Sequence, residues 1–171
     1  MTLYQNKYRI KSTRLPNYDY SSNGYYFITI CTHKKFCYFG GVDDKQMHLS
    51  QVVRISQKHW QEIQQHFKYV FIDEYVVLPN HVHGIIVINR PNNIETRNFA
   101  SLPSKFAPLK PRSLPTIIHA YKSSVTRWCR KNKDADFRWQ GRFYEHIIHS
   151  QKSLDNIHQY YSQQSDKMVS R

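Results

Sequence analysis

The segment VFIDEYVVLPNHVHGIIVI, residues 70–88, holds two short apolar runs on either side of a turn signal. Val70 to Val77 is the first run, Leu78-Pro79-Asn80 is the turn, and His81 to Ile88 is the second. Proline presets its own φ and asparagine bonds to nearby backbone, so the pair ends one strand and starts another. Near-continuous Val and Ile content predicts a β-hairpin with well-buried strands. Upstream, Tyr25 to Thr32 is aromatic and β-branched and predicts a strand. Between the two, Leu49, Val52, Val53, Trp60, Ile63 and Phe67 recur at helical spacing, with Ser50 as the cap. Downstream, a second helix starts near Ser113 and Leu114 with the stripe Leu114, Ile117, Ile118, Tyr121, Val125 and Trp128. Phe137 to Ile148 reads as a further strand, and Ser153 caps a last helix running to about Gln164. The order is strand, helix, strand, strand, helix, strand, helix. That predicts an α+β fold: a ferredoxin-like βαββαβ core, its antiparallel sheet carrying helices on one face, plus a C-terminal helix.

Residues 1–171 are expected to form one domain, because a chain of this length can bury roughly 70% of its unfolded surface. Residues 1–23 read as a polar, aromatic arm packed onto that domain. Residues 90–113 form a basic loop containing Pro91, Pro103, Pro108 and Pro111. The 25 Lys and Arg against 12 Asp and Glu give a net charge of +13. With 13 Tyr, 9 Phe and 3 Trp as stacking surfaces, this charge points to a nucleic-acid partner. Cys31, Cys37 and Cys129 make neither an even disulfide framework nor a CxxC metal pair. No long apolar run is present, so the expectation is a cytoplasmic protein with no membrane partner.

His81-Val82-His83 is the sharpest chemical feature. On a strand, His81 and His83 face the same way, about 7 Å apart along the chain, and two imidazoles so placed can hold one divalent ion. An HxH pair also arises easily by chance among 10 histidines, and the alternative is a structural pair. A metal needs a further ligand. On the last helix, Leu154, Ile157 and Tyr161 define a buried stripe, Tyr160 lies on its flank, and Gln164 follows one turn after Tyr160. That face presents a hydroxyl and an amide together; the alternative is that both tyrosines simply pack. From Lys105 to Arg142, ten cations stand against Asp134 and Asp136, interleaved with Phe106, Tyr121, Trp128, Phe137 and Trp139. That composition suits a groove tracking a phosphate backbone. Glu145 and His146 are second-tier candidates for further ligands or acid–base groups. No Gly-rich phosphate loop and no GxSxG elbow is present.

Four stretches together carry a family resemblance: Gly24 to Ile30, Tyr75 to Ile86, Ile117 to Ser123, and Trp139 to Ile148. The chain resembles the REP-associated tyrosine transposases, a branch of the single-tyrosine HUH transposases acting on single-stranded DNA. The resemblance runs from about Arg14 to Tyr161. It implies that His81 and His83 are the metal-binding pair, Tyr160 the nucleophile and Gln164 a third ligand. It also implies Mg²⁺ or Mn²⁺ as cofactor, a nucleoid-associated prokaryotic setting, and single-stranded DNA with hairpin or REP-like repeats as partner. The implied reaction is a transesterification in which Tyr160 forms a 5′-phosphotyrosine and releases a 3′-hydroxyl. Arg14, Lys105, Lys110, Arg112, Lys122, Arg127, Arg130, Lys131, Arg138 and Arg142 are the residues expected to hold DNA phosphates. A non-catalytic single-strand-binding module and a replication-initiator or relaxase-type nickase are the alternative functions. Relatives include both monomers and homodimers, and the sequence leaves that choice open.

Overall fold

The computed structural model describes residues 14–43, 46–91, 110–132 and 134–169, with side chains left out for residues 42, 43, 46, 47 and from 163 on. Six strands and three α-helices follow in the order β1 (Gly24–Cys31), β2 (Gly40–Asp43), β3 (Gln46–Leu49), α1 (Gln51–His66), β4 (Val70–Leu78), β5 (His81–Ile88), α2 (Leu114–Lys131), β6 (Tyr144–Ile148) and α3 (Gln151–Val169). The main sheet runs β4-β5-β1-β6, and every neighbouring pair is antiparallel. Leaving aside the β2–β3 ribbon, this is the split βαββαβ arrangement predicted from the hairpin outward.

Strand alternation divides the side chains between two layers. Tyr26, Ile28 and Ile30 of β1 and Val82, Ile86 and Ile88 of β5 are buried with Trp60 of α1 and Ile117, Ile118 and Val125 of α2. Each such side chain contributes roughly 1.5–3 kcal/mol when fully buried. Gly84 sits in this layer because Trp60 occupies the space a side chain would need: a Cβ there would lie 2.2 Å from Trp60 Cζ2. On the opposite face, Val76, Ile85 and Ile148 pack with Leu154 and Tyr161 of α3. A register shift in β4 between Ile72 and Tyr75 spans Asp73. His158 Nε2 meets Asp73 Oδ2 at 2.9 Å, tying α3 to the sheet at that irregularity.

Four local expectations are corrected. The β2–β3 ribbon was not predicted, and Leu49 belongs to it, exposed, rather than to the first helical stripe. Ser50 holds the cap position of α1, but its hydroxyl donates to the Tyr38 carbonyl at 2.8 Å instead of capping. The strand expected over residues 137–148 is regular only from Tyr144. Before it, Trp139 makes an isolated bridge to Thr32, and Arg142 adopts φ 64°, which interrupts extended pairing. The last helix begins at Gln151, with Ser150 Oγ accepting the Ser153 N–H at 3.2 Å, so Ser150 takes the role assigned to Ser153. No helix among the described residues is long and apolar enough to cross a membrane.

Candidate functional site

Pairing places the two histidines. His83 stands opposite Thr29 of β1, and His81 opposite Cys31, so all four project from the face that α3 covers. The imidazole centroids are 4.5 Å apart and the rings nearly perpendicular. Each Nδ1 is engaged by a neighbour: His81 Nδ1 lies 2.5 Å from Asn80 Oδ1, and His83 Nδ1 lies 2.8 Å from Thr29 Oγ1. A hydrogen bond to one ring nitrogen is what fixes a ligating imidazole, and the Ile28 backbone adds a further bond to His83. Phe27 stacks on His83 at 5.4 Å.

Burial pushes both imidazoles down. His83 falls to about 4, with His81 beside it adding to the effect, and Lys35 adds to the lowering of His81. Both are therefore neutral at pH 7 and able to donate a lone pair. An unfolded imidazole takes its proton near pH 6.5, whereas folded His83 resists until about pH 4, so in that window the unfolded state binds more protons. Stability of the metal-free protein is expected to be full above pH 6.5 and to fall by on the order of 2 kcal/mol as pH drops to 4. Urea denaturation at the two pH values, with His83→Asn showing a smaller drop, checks this.

The third element of the site comes from α3. Leu154 and Tyr161 are buried and Ile157 is half-buried, so the predicted stripe is the one that docks. Tyr161 is only 3% exposed, while Tyr160 is 39% exposed and its ring lies 6.2 Å from that of His83. Gln164 belongs to the same helix one turn later, but its side chain lies outside the described residues. Among the described residues, no group of three His, Cys, Asp or Glu side chains gathers as a metal site. Two neutral imidazoles can each give a nitrogen lone pair to a divalent ion, and Gln164 would add an oxygen.

Glu145 and His146 separate. Glu145 stands opposite Ile28 and is buried on the α1–α2 side, 3.8 Å from Arg14 Nε and away from the histidines. His146 stands opposite Phe27, on the histidine face, and is exposed. The cations expected along the DNA are held in different ways. Arg14 lies over Phe143 at 5.0 Å. Lys110 pairs with Asp19 at 2.7 Å, and the Arg112 carbonyl accepts from Arg90. Lys122 donates to the carbonyls of Gln140 at 2.7 Å and Arg142 at 3.0 Å, and burial pushes its ammonium down to about 8. Arg127, Arg130, Lys131 and Arg138 line a common cleft. Lys105 lies outside the described residues.

Sequence reasoning missed Thr29 and Asn80 as the groups that orient the imidazoles. It also missed Tyr144, which shares a row with Thr29 and His83 and is 54% exposed. Asn80 was visible as the residue next to His81, but Thr29 and Tyr144 needed the strand register.

An uncharacterised protein of Haemophilus influenzae is 39% identical over 158 residues, covering 88% of this chain and 84% of its own length. The two belong to one family. No protein-family model matches the chain. Among solved structures, that of a REP-associated tyrosine transposase bound to a REP hairpin aligns with a TM-score of 0.56 and 17% identity, over 86% of this chain and 69% of its own. The family thus has the fold of a REP-associated tyrosine transposase. A Deinococcus radiodurans crystal structure aligns less well, with a TM-score of 0.47 and 13% identity over 88% of this chain and 96% of its own.

Proposed function

We propose that this protein is a metal-dependent single-strand DNA transposase that cuts and rejoins hairpin-bearing, REP-like DNA through a 5′-phosphotyrosine. The observation that carries this reading is the approach of the exposed Tyr160 ring, 6.2 Å from His83, beside two neutral imidazoles fixed from behind. Tyr160 Oη attacks phosphorus, an Oη–P bond forms, and the P–O3′ bond breaks. The phenolic proton passes to solvent, and the departing 3′ oxygen takes one up. The phosphodiester energy is kept in the covalent link, so a new 3′-hydroxyl can reverse the step without ATP.

The residues that would hold Mg²⁺ or Mn²⁺ are His81, His83 and Gln164, and such an ion supplies positive charge at a non-bridging phosphate oxygen. Asn80 and Thr29 keep the two imidazoles in the orientation this requires. Phe27 and Tyr161 hold the tyrosine helix against the sheet, their rings 6.4 Å apart.

Incubation with a hairpin-bearing single strand and Mg²⁺ or Mn²⁺ is expected to yield a covalent adduct on a denaturing gel, lost in EDTA. Salt-sensitive binding with no adduct in either metal would overturn the reading in favour of a binding module.

A further inference from the structure

The sheet carries the histidine pair on one face, yet a group of exposed cations lies on the α2 side. There, a cleft of about 740 Å³ opens between α2 and residues 137–141. Its rim holds Arg127, Arg130 and Lys131 from the last turns of α2, faced by Arg138, all four exposed. Trp139 and Gly141 form part of the opposite wall. That wall is fixed in advance. Trp139 Nε1 donates to the Lys122 carbonyl at 3.1 Å, and Lys122 in return donates to the Gln140 and Arg142 carbonyls. Phe137 packs edge-on against Trp139 at 5.0 Å, Phe39 and Tyr121 lie at 5.5 and 5.8 Å, and Lys122 Nζ lies 6.0 Å over the ring from the cleft side, leaving the indole half-buried.

The cleft is joined to the histidine site by backbone. Gln140 N–H donates to the Cys31 carbonyl at 2.9 Å, and His33 N–H to the Arg138 carbonyl at 2.8 Å. Cys31 stands opposite His81. The cleft and the histidine strand thus both abut the end of β1.

We propose that this cleft seats an unpaired nucleotide of the strand on which Tyr160 acts. Its base lies against Trp139, and its flanking phosphates are held by Arg127, Arg130, Lys131 and Arg138. This rests on the reading above for the strand being DNA. The cleft is an open groove rather than an enclosed cavity, as a passing strand requires. A cation-lined approach with an aromatic wall is the chemistry of single-strand binding. A paired base keeps its faces stacked inside the duplex and offers none to an indole, so the occupant is an unpaired residue.

Gly141 supplies a clean test. A Cβ added there meets nothing within 4 Å, so Gly141→Leu narrows the cleft without pressing on the core. Fluorescence anisotropy is read with a short mixed-sequence DNA strand and with the blunt duplex formed with its complement. Gly141→Leu is expected to bind the strand about tenfold more weakly, the weight of one lost base–aromatic stack, and the duplex unchanged. Arg138→Gln is expected to flatten the salt dependence on the strand by about 0.7 in log–log slope, one phosphate contact. Unchanged strand affinity in Gly141→Leu overturns the proposal, as does an equal loss on strand and duplex. The covalent adduct is a separate readout. A strand-specific loss without any wild-type adduct supports the cleft and removes the chemistry, whereas an adduct with no strand-specific loss does the reverse.

Discussion

Tyr160→Phe is expected to abolish covalent capture of DNA, by at least about a thousandfold, while Tyr161→Phe leaves it intact. The two residues are adjacent and chemically identical, so their environments alone make the difference. Tyr161 is packed against Phe27, and its hydroxyl is buried with no hydrogen-bond partner among the described residues. Burial pushes that phenol up, with Tyr160, Glu74 and Asp73 adding to the shift, so it ionises with difficulty and has no path to a phosphate. Removing an unsatisfied buried hydroxyl is close to neutral or stabilising, so Tyr161→Phe should hold or raise the urea midpoint, by up to about 1 kcal/mol. Tyr160 is on the flank of the same helix, exposed and facing His83. Digestion of the adduct and mass spectrometry should place the nucleotide on Tyr160. A nucleotide on Tyr161, or an undiminished adduct from Tyr160→Phe, would sink the assignment.

The separation of these two tyrosines was legible before any coordinates. Leu154, Ile157 and Tyr161 are spaced to make one stripe, and a helix with one apolar stripe has little freedom in how it docks. The hairpin of residues 70–88 was legible too, its turn at Pro79-Asn80 setting Leu78 opposite His81, while the register shift between Ile72 and Tyr75 was not. What the sequence hid was long-range pairing. Thr29 is an ordinary strand threonine until β1 is known to lie beside β5 with Thr29 opposite His83. Composition marks the run from Lys105 to Arg142 as suited to a phosphate backbone but does not say on which face of the sheet it lies. Charge counting carries no direction, and α2 packs its apolar stripe on the other face of the sheet. Residues 138–140 return to the end of β1. The β2–β3 ribbon was missed because its four-residue strands are too short for a period-2 pattern to show.

The glycine that follows His83 ties the core to the chemistry, and Gly84→Ala is expected to cost about 3 kcal/mol. The new methyl would sit 2.2 Å from Trp60 Cζ2 and 2.8 Å from Cε2. Neither side can yield easily. Trp60 is fully buried, with Tyr121 edge-on at 5.0 Å and Tyr75 stacked at 6.2 Å. Gly84 is on a central strand, paired with Ile28 on one side and Tyr75 on the other. The clash is therefore relieved by a shift of β5, which carries His83 away from Thr29. A misplacement of about 1 Å at a reacting group costs on the order of a hundredfold in rate. Gly84→Ala, assayed at a temperature where it remains folded, should thus lose covalent capture on that scale while still binding DNA strands through the distant cations. Trp60→Leu makes room for the methyl, so the double variant should be more stable than the sum of the single losses by about 1–3 kcal/mol. Additive losses in urea denaturation would mean that Trp60 does not set the position of β5, and that the histidine pair takes its geometry from Thr29 and Asn80 alone.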